Sequence, residues 1–239
     1  MKAPSRVRQM ITHGIGLVAP PACPVCGRPA GRHGLAFLCP SCRPSLAARP
    51  VCASCGRFLP DTPMLRLQPL RTCRICRNHK LKFDAAAAVA PYGSAWREAV
   101  VALKKTPSGD LLRQVSHLAW RMLVKRLPGP WDALVAIPGR GQRPHAAGCL
   151  AKAVGKRSGL PVRPLLRFTR RTLPQHRLKR KQRLTNMRGS LDCRGRLDGL
   201  KLVVVDDVMT TAATAREAAR ALKKAGAARV GILVLARAH

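Results

Sequence analysis

The sequence predicts an α/β fold, an open parallel sheet with flanking helices, preceded by a small metal-held module. Three stretches carry that expectation. Leu202–Ala236 reads as strand, loop, helix and strand, the size of a βαβ unit. Trp131–Pro138 (W-D-A-L-V-A-I-P) reads as another buried apolar strand. Residues 23–76 hold eight of the ten cysteines. A chain of 239 residues with 46% hydrophobic content has room for one α/β domain of ordinary size plus a small module. It contains no apolar run of membrane-spanning length, so no membrane insertion is expected.

In the βαβ stretch, Leu202–Val205 is a β-branched run suited to a buried strand. It ends in two adjacent carboxylates, Asp206 and Asp207. Thr210, Thr211, Ala212, Ala213 and Thr214 follow, and Ala212–Ala225 reads as a helix with Lys223 and Lys224 in its last turn and Gly226 just past it. Small residues and threonines at a helix start expose backbone N–H groups at the positive end of the helix dipole, which suits a phosphate. Carboxylates would repel that phosphate; they suit vicinal hydroxyls or a divalent cation. A phosphate and a cis-diol a few ångströms apart describe a ribose 5-phosphate. A helix cap would account for one Asp, but not for both and the three threonines. Arg229–Ala236 reads as the next buried strand.

The second strand runs into Gly139, Arg140, Gly141 and, two residues on, Arg143. A Gly-rich loop with arginines after a strand end suits a second anion. Helix Ala146–Arg157 follows, and Gly159–Val162 leads toward a further strand.

The cysteines form four C-x-x-C pairs: Cys23/Cys26, Cys39/Cys42, Cys52/Cys55 and Cys73/Cys76. Such a turn followed by Gly, as in C-P-V-C-G and C-A-S-C-G, lets two thiolates converge on one ion, and two turns complete a tetrahedral zinc site. Sequential pairing gives two structural four-cysteine zinc sites, one from Cys23, Cys26, Cys39 and Cys42 and another from Cys52, Cys55, Cys73 and Cys76; spacing does not exclude interleaved pairing. All-cysteine sites leave no open position for catalysis, and metal should supply most of such a module's folding energy. The N-terminus is basic with scattered apolar residues, which suits a short amphipathic helix and lacks the continuous apolar core of a secretory signal. A cytoplasmic location is the expectation.

Between these parts, Phe83–Tyr92 suits a strand or extended arm, and Ser94–Lys105 and Gly109–Arg126 read as amphipathic helices broken by T-P-S-G. Forty-five Lys and Arg against ten Asp and Glu give a net charge of +35. The interval 133–191 has fifteen basic residues and no acid. Its densest run, Arg177–Arg183, supplies Arg177, Lys179, Arg180, Lys181 and Arg183 as candidates for nucleic-acid phosphates. With three Trp, four Phe and one Tyr, base-stacking platforms are scarce.

V-V-V-D-D-V-M-T-T-A-A-T resembles the phosphoribosyl pyrophosphate (PRPP) signature of the type I phosphoribosyltransferases. The resemblance implies that Asp206 and Asp207 bind the ribose hydroxyls, that Thr210–Thr214 wrap the 5-phosphate, and that Gly139, Arg140 and Arg143 lie on a pyrophosphate loop. The order of cysteine knuckles, K-K-T-P-S-G-D, an I-P strand, and Q-H-R-L-K-R-K-Q-R-L-T-N-M-R-G before the acidic pair resembles the ComF family over roughly residues 20–238. Within it Lys104, Gly109, Asp110, Gln175, Arg183, Asn186 and Gly189 match family positions. Two departures stand out: Ala212 replaces the usual Gly, and the loop after Pro138 is short.

The ComF resemblance implies a double zinc ribbon (19–78) after a basic N-terminal segment (1–18), a helical connector or hood (79–130) and a phosphoribosyltransferase-like domain (131–239). It implies binding of PRPP with Mg²⁺, a role in DNA uptake beside other proteins of that machinery, and a phosphoribosyltransferase with an unidentified acceptor. The alternative is a non-catalytic single-stranded-DNA-binding competence protein with a vestigial PRPP pocket.

Overall fold

A computed structural model describes residues 22–23, 26–29, 39–40, 50–60, 62, 72–78, 81–139, 141, 144–173, 178 and 180–238, without the side chains of 94, 95, 180 and 181. The expected N-terminal amphipathic helix lies outside the described residues. The chain divides into two compact units, Met1–Pro44 and Ser45–His239.

In the smaller unit, the Cys23 N–H donates to the Arg28 carbonyl and the Gly27 N–H to the Cys23 carbonyl, while Ala22 and Pro29 form an antiparallel bridge. Gly27 has φ 73°, the left-handed turn that the knuckle needs. The larger unit repeats this construction. Cys52 N–H donates to Arg57, Gly56 N–H to Cys52, Val51 bridges Phe58, and Gly56 has φ 65°. A five-residue helix α1 (Arg74–Asn78) carries the partner knuckle.

The remainder of the larger unit is the α/β body. In order it comprises β1 (Ala85–Pro91), α2 (Ser94–Lys105), α3 (Gly109–Arg126), β2 (Ala133–Ala136), α4 (Ala146–Ser158), β3 (Leu166–Phe168), α5 (Arg180–Met187), β4 (Leu191–Cys193), β5 (Lys201–Met209), α6 (Ala213–Lys224) and β6 (Arg229–Arg237). The main sheet has the order β1-β6-β5-β2, and all its pairs are parallel. Leu134 adds a parallel bridge to Val162, the strand onset expected after Gly159. The segment read as strand or arm is thus an edge strand of the main sheet. β3 and β4 form a separate antiparallel ribbon.

The sheet interior is dry. Val203, Val204, Val205, Ile232, Leu233 and Val234 are inaccessible to solvent, which fits strands covered on both faces. Polar anchors fix the register. The Asp84 carboxylate accepts the Val230 N–H and the Lys223 ammonium, tying β1 to β6 and α6. Asp132 accepts the Lys201 N–H at the start of β5. Buried Glu217 accepts the Arg220 guanidinium, which also donates to the Leu191 carbonyl, so α6 holds the β3–β4 ribbon.

β5 runs to Met209, beyond the expected end at Val205. Its neighbour β6 continues equally far, pairing Val208 with Ala236 and Met209 with Arg237. The carboxylate pair therefore sits inside a strand.

The second knuckle is seated tightly on β1. A Cβ at Gly56 would stand 2.8 Å from the Ala86 carbonyl oxygen, at a left-handed φ. Gly56→Ala should therefore destabilise the protein by about 2–3 kcal/mol, from backbone strain and this clash. Denaturant titration of the zinc-loaded protein checks this, and an unchanged midpoint would contradict the seating described.

Candidate functional site

Parallel strands leave their carboxyl ends at one edge of a sheet, where α/β folds place ligands. The Ile137 N–H donates to the Val205 carbonyl, which brings the end of β2 beside the acidic pair of β5. A cavity of about 390 Å³ opens there, lined among others by Lys104, Arg183, Asp206, Asp207, Thr210 and Thr214. Ala212 and Ala213 line a smaller recess that Asp206, Thr210 and Thr214 share. The acidic pair and the threonine loop thus converge on one hollow.

Asp206 Oδ1 accepts the Asp207 N–H at 2.9 Å. Burial, and then the neighbouring Asp207 carboxylate, push the Asp206 carboxyl well above the usual carboxylate range. Lys104, from the last turn of α2, meets Asp207 Oδ2 at 3.2 Å. Arg183 of α5 donates from Nη1 to Thr210 Oγ1 at 3.2 Å and from Nε to the Leu178 carbonyl at 3.0 Å. Two cations therefore flank the two carboxylates, a setting able to hold a ligand with phosphate at one end and hydroxyls at the other.

Thr211 Oγ1 accepts the Ala213 N–H at 3.4 Å at the start of α6. Ala212 is the residue before this helix, with φ 62° and ψ 16°. Glycine is the default for this left-handed geometry, and an alanine there costs about 1–2 kcal/mol. Ala212 is buried, however, and its methyl returns about 0.8 kcal/mol.

The loop after β2 is held by a residue that no sequence motif singles out. The His145 ring nitrogen Nε2 lies 2.8 Å from the Ile137 carbonyl. Added Cβ atoms at Gly139 and Gly148 would come within 2.7 and 2.9 Å of the same ring. The imidazole therefore fills a slot that only these glycines leave open, and Gly139 serves packing as well as any ligand. Arg140 and Arg143 lie outside the described residues.

Of the nucleic-acid candidates, Arg177 and Lys179 also lie outside the described residues, as do the side chains of Arg180 and Lys181. Arg183 is described, and it reaches into the cavity. A charge run cannot reveal which of its members turns inward. Lys104 came to notice only within the family stretch; its approach to Asp207 depends on how α2 returns to β5.

The Sγ atoms of Cys52, Cys55, Cys73 and Cys76 lie within 4.8 Å of one another, and so do those of Cys23, Cys26 and Cys39; Cys42 lies outside the described residues. The pairing is sequential, one cluster to each compact unit. In the larger unit, Cys52 Sγ accepts the Cys73 N–H at 3.2 Å. The hydrogen bond with Cys55 pulls the Cys52 thiol down to about 4 and pushes Cys55 up, and burial pushes Cys76 up to about 12. Four thiolates cannot coexist there without a cation, and four soft sulfurs at this separation fit a tetrahedral ion such as zinc.

The phosphoribosyl transferase domain family matches residues 107–239. The chain belongs to that family. The match covers β2, the acidic pair and the threonine loop. DNA utilization protein YhgH of Salmonella typhimurium is 28% identical over 90% of this chain and 89% of its own length. YhgH of Escherichia coli K12 is 26% identical over 92% of this chain and 99% of its own. This homology spans the knuckles and the phosphoribosyl transferase domain alike, and it bears out the resemblance to the ComF family. Among solved structures, an allosteric regulatory enzyme of purine biosynthesis overlaps 52% of this chain and 26% of its own at 22% identity and a TM-score of 0.37.

Two outcomes are expected of site variants. Asp206 binds its proton more tightly folded than unfolded, so its contribution to stability is lost as pH rises from the ordinary carboxylate range, about 4, through its raised folded value. Asp206→Asn should raise the melting temperature at pH 7 by about 2–4 °C for each kcal/mol of relieved charge burial, and change it little near pH 4. Equal shifts at both pH values, by scanning calorimetry, would contradict this. Ala212→Gly should be nearly neutral, because relief of strain and loss of the buried methyl offset each other, whereas Ala212→Val should cost about 2 kcal/mol or more. Chemical denaturation of both variants checks the difference.

Proposed function

We propose that the chain binds PRPP, or a closely related ribose 5-phosphate, in the cavity at the end of β5, and that it acts in DNA utilisation of the ComF kind. The observation that carries this reading is the convergence of Asp206, Asp207, Thr210 and Thr214 on one hollow flanked by Lys104 and Arg183. In this reading the carboxylates accept the ribose hydroxyls, and the amides and hydroxyls of Thr210–Thr214 hold the 5-phosphate. Mg²⁺ arriving with PRPP supplies charge neutralisation to the diphosphate. An acceptor nucleophile forms a bond to the anomeric carbon as the C–O bond to pyrophosphate breaks, and the acidic pair favours the positive charge that develops on the sugar. Gly139, Arg140 and Arg143 are the proposed pyrophosphate loop. The raised proton affinity of Asp206 fits a site awaiting a cationic or hydroxyl-rich ligand.

The two cysteine clusters, completed by Cys42 in the smaller unit, are proposed as structural zinc sites. Residues 1–18, 19–78, 79–130 and 131–239 are the proposed functional divisions, and a cytoplasmic location suits the chemistry. No helix among the described residues is long and apolar enough to cross a membrane.

A second reading, binding of single-stranded DNA, has its own observation. Around the β3–β4 ribbon, Arg163, Arg170, Arg171, Arg188 and Arg194 are exposed. The ribbon's Asp192 is taken by Arg167, and Asp198 by Arg196. Such a face, with the Arg177–Lys181 run, would track a phosphate backbone without reading bases. The relatives' name, DNA utilization protein, supports a role of this kind.

Calorimetry of PRPP with Mg²⁺ at high salt tests the first reading, with free pyrophosphate and the doubly substituted Asp206→Asn, Asp207→Asn protein as controls. Selective binding that falls about 100-fold or more in the double variant is expected, since charged hydrogen bonds to the ribose are each worth about 1.5–3 kcal/mol. Binding no tighter than pyrophosphate, and indifferent to the substitutions, would sink it. For the second reading, Arg171→Ala, Arg188→Ala and Arg194→Ala together should lower the log–log salt slope of single-stranded DNA binding by about 2, at roughly 0.7 per lost contact. An unchanged slope would place the DNA elsewhere.

A further inference from the structure

Arg237 is the last residue of β6, and the residue is 4% exposed. Its Nε donates to the Cys55 carbonyl at 3.2 Å, inside the second metal knuckle. Its Nη1 reaches the carbonyls of Met209 at 3.0 Å, of Thr210 and of Ala238. One buried side chain therefore joins the knuckle to the entrance of the threonine loop. All of these residues belong to the larger compact unit.

Two physical consequences follow. Among the described residues the peptide bonds are trans, so a carbonyl and the next N–H point in opposite directions. Gathering the Met209 and Thr210 carbonyls on one guanidinium turns the N–H groups of Thr210 and Thr211 away from it together. A phosphate seat needs its amides presented in this common way. The second consequence concerns charge. A guanidinium remains protonated in proteins, and burying it without an opposite charge is costly. Among the described residues no carboxylate pairs with Arg237. The Cys55 carbonyl that Arg237 bonds belongs to the cluster of Cys52, Cys55, Cys73 and Cys76, and four thiolates around one divalent ion carry a formal charge of −2.

We propose that Arg237 is a positioning residue for the phosphate loop and that the metal-loaded second cysteine cluster is its counter-charge, so that the state of the cluster sets how firmly the loop holds a phosphate. This rests on the reading of Thr210–Thr214 as a phosphate seat and of the cluster as a zinc site. It gives the second cluster a role beyond holding its own knuckle together. Arg237 touches the backbone of the loop and acts on a ligand only through it.

The test compares the zinc-loaded native protein with zinc-loaded Arg237→Met and Arg237→Lys, by calorimetry with ribose 5-phosphate at high salt and by amide exchange across Met209–Ala213, with the β2 amides as internal reference. Arg237→Met should weaken ribose 5-phosphate about tenfold or more and speed loop exchange at least tenfold while β2 is unchanged. Arg237→Lys keeps the charge without the fork and should fall between. Chelating the zinc should speed loop exchange in the native protein and add little in Arg237→Met, because the link is already cut. Native-like affinity and loop exchange in both zinc-loaded variants would overturn the proposal, as would an equal effect of chelation on native protein and Arg237→Met. Failure of the native protein to bind ribose 5-phosphate would instead count against the phosphate-seat reading, and the exchange comparison would still decide whether Arg237 couples cluster to loop.

Discussion

Two carboxylates on consecutive residues at the mouth of a buried sheet are costly to charge together, first through loss of water on burial and then through their mutual repulsion. Burial strengthens it, because fewer waters screen the pair. The structure relieves it locally: Asp206 takes the Asp207 amide, and Asp207 takes the Lys104 ammonium. This lysine comes from α2, between β1 and β2 in the chain, so the charge balance of the site depends on how α2 returns to β5. A costly carboxylate pair kept near the end of β5, with a helix start beyond it, is the kind of arrangement that functional sites carry at the expense of stability.

The same tension recurs around the cysteines. Thiols packed within a few ångströms share protons unevenly, one made more acidic and its neighbours less, until a cation settles the charge. The knuckle in the larger unit lies against the sheet at Ala86, and its Cys55 carbonyl bonds the end of β6. Structural zinc contributes about 10–16 kcal/mol in small domains. A contribution of that size, delivered at the sheet rather than in a separate appendage, would explain how an alanine-rich edge strand such as Ala85–Pro91 keeps its place.

Much of this was legible in the sequence, for reasons that differ by residue. The helices Ser94–Lys105 and Gly109–Arg126 announced themselves by apolar spacing and a Pro-Ser-Gly break, and they lie where expected. The acidic pair and threonines were readable because acids are so rare in this chain. The end of β5 was not, since strand length there follows from the reach of β6. Arg183 belonged to a run of basic residues, and nothing in the run singled it out. Arg237 was one arginine among many near the C-terminus; only the return of β6 to the knuckle gives it its place. His145 was hidden likewise, because its slot is cut by two glycines on different segments. Ala212 was legible only through the resemblance, and its left-handed backbone shows why that position usually lacks a side chain.

The Lys104–Asp207 pair has a bearing on competition. A molecule with an excess of 35 positive charges draws every polyanion in its surroundings, and a cavity lined with phosphate donors would ordinarily be the first place to clog. Here the carboxylates, with one lysine already engaged, keep the floor of the cavity near electrical neutrality. A bare phosphodiester has no hydroxyl pair to offer them, so it gains nothing by entering. Under the proposed function, the acidic pair would insulate the pocket from the rest of the surface, so that a polyanion on the outside and a sugar phosphate inside would not compete.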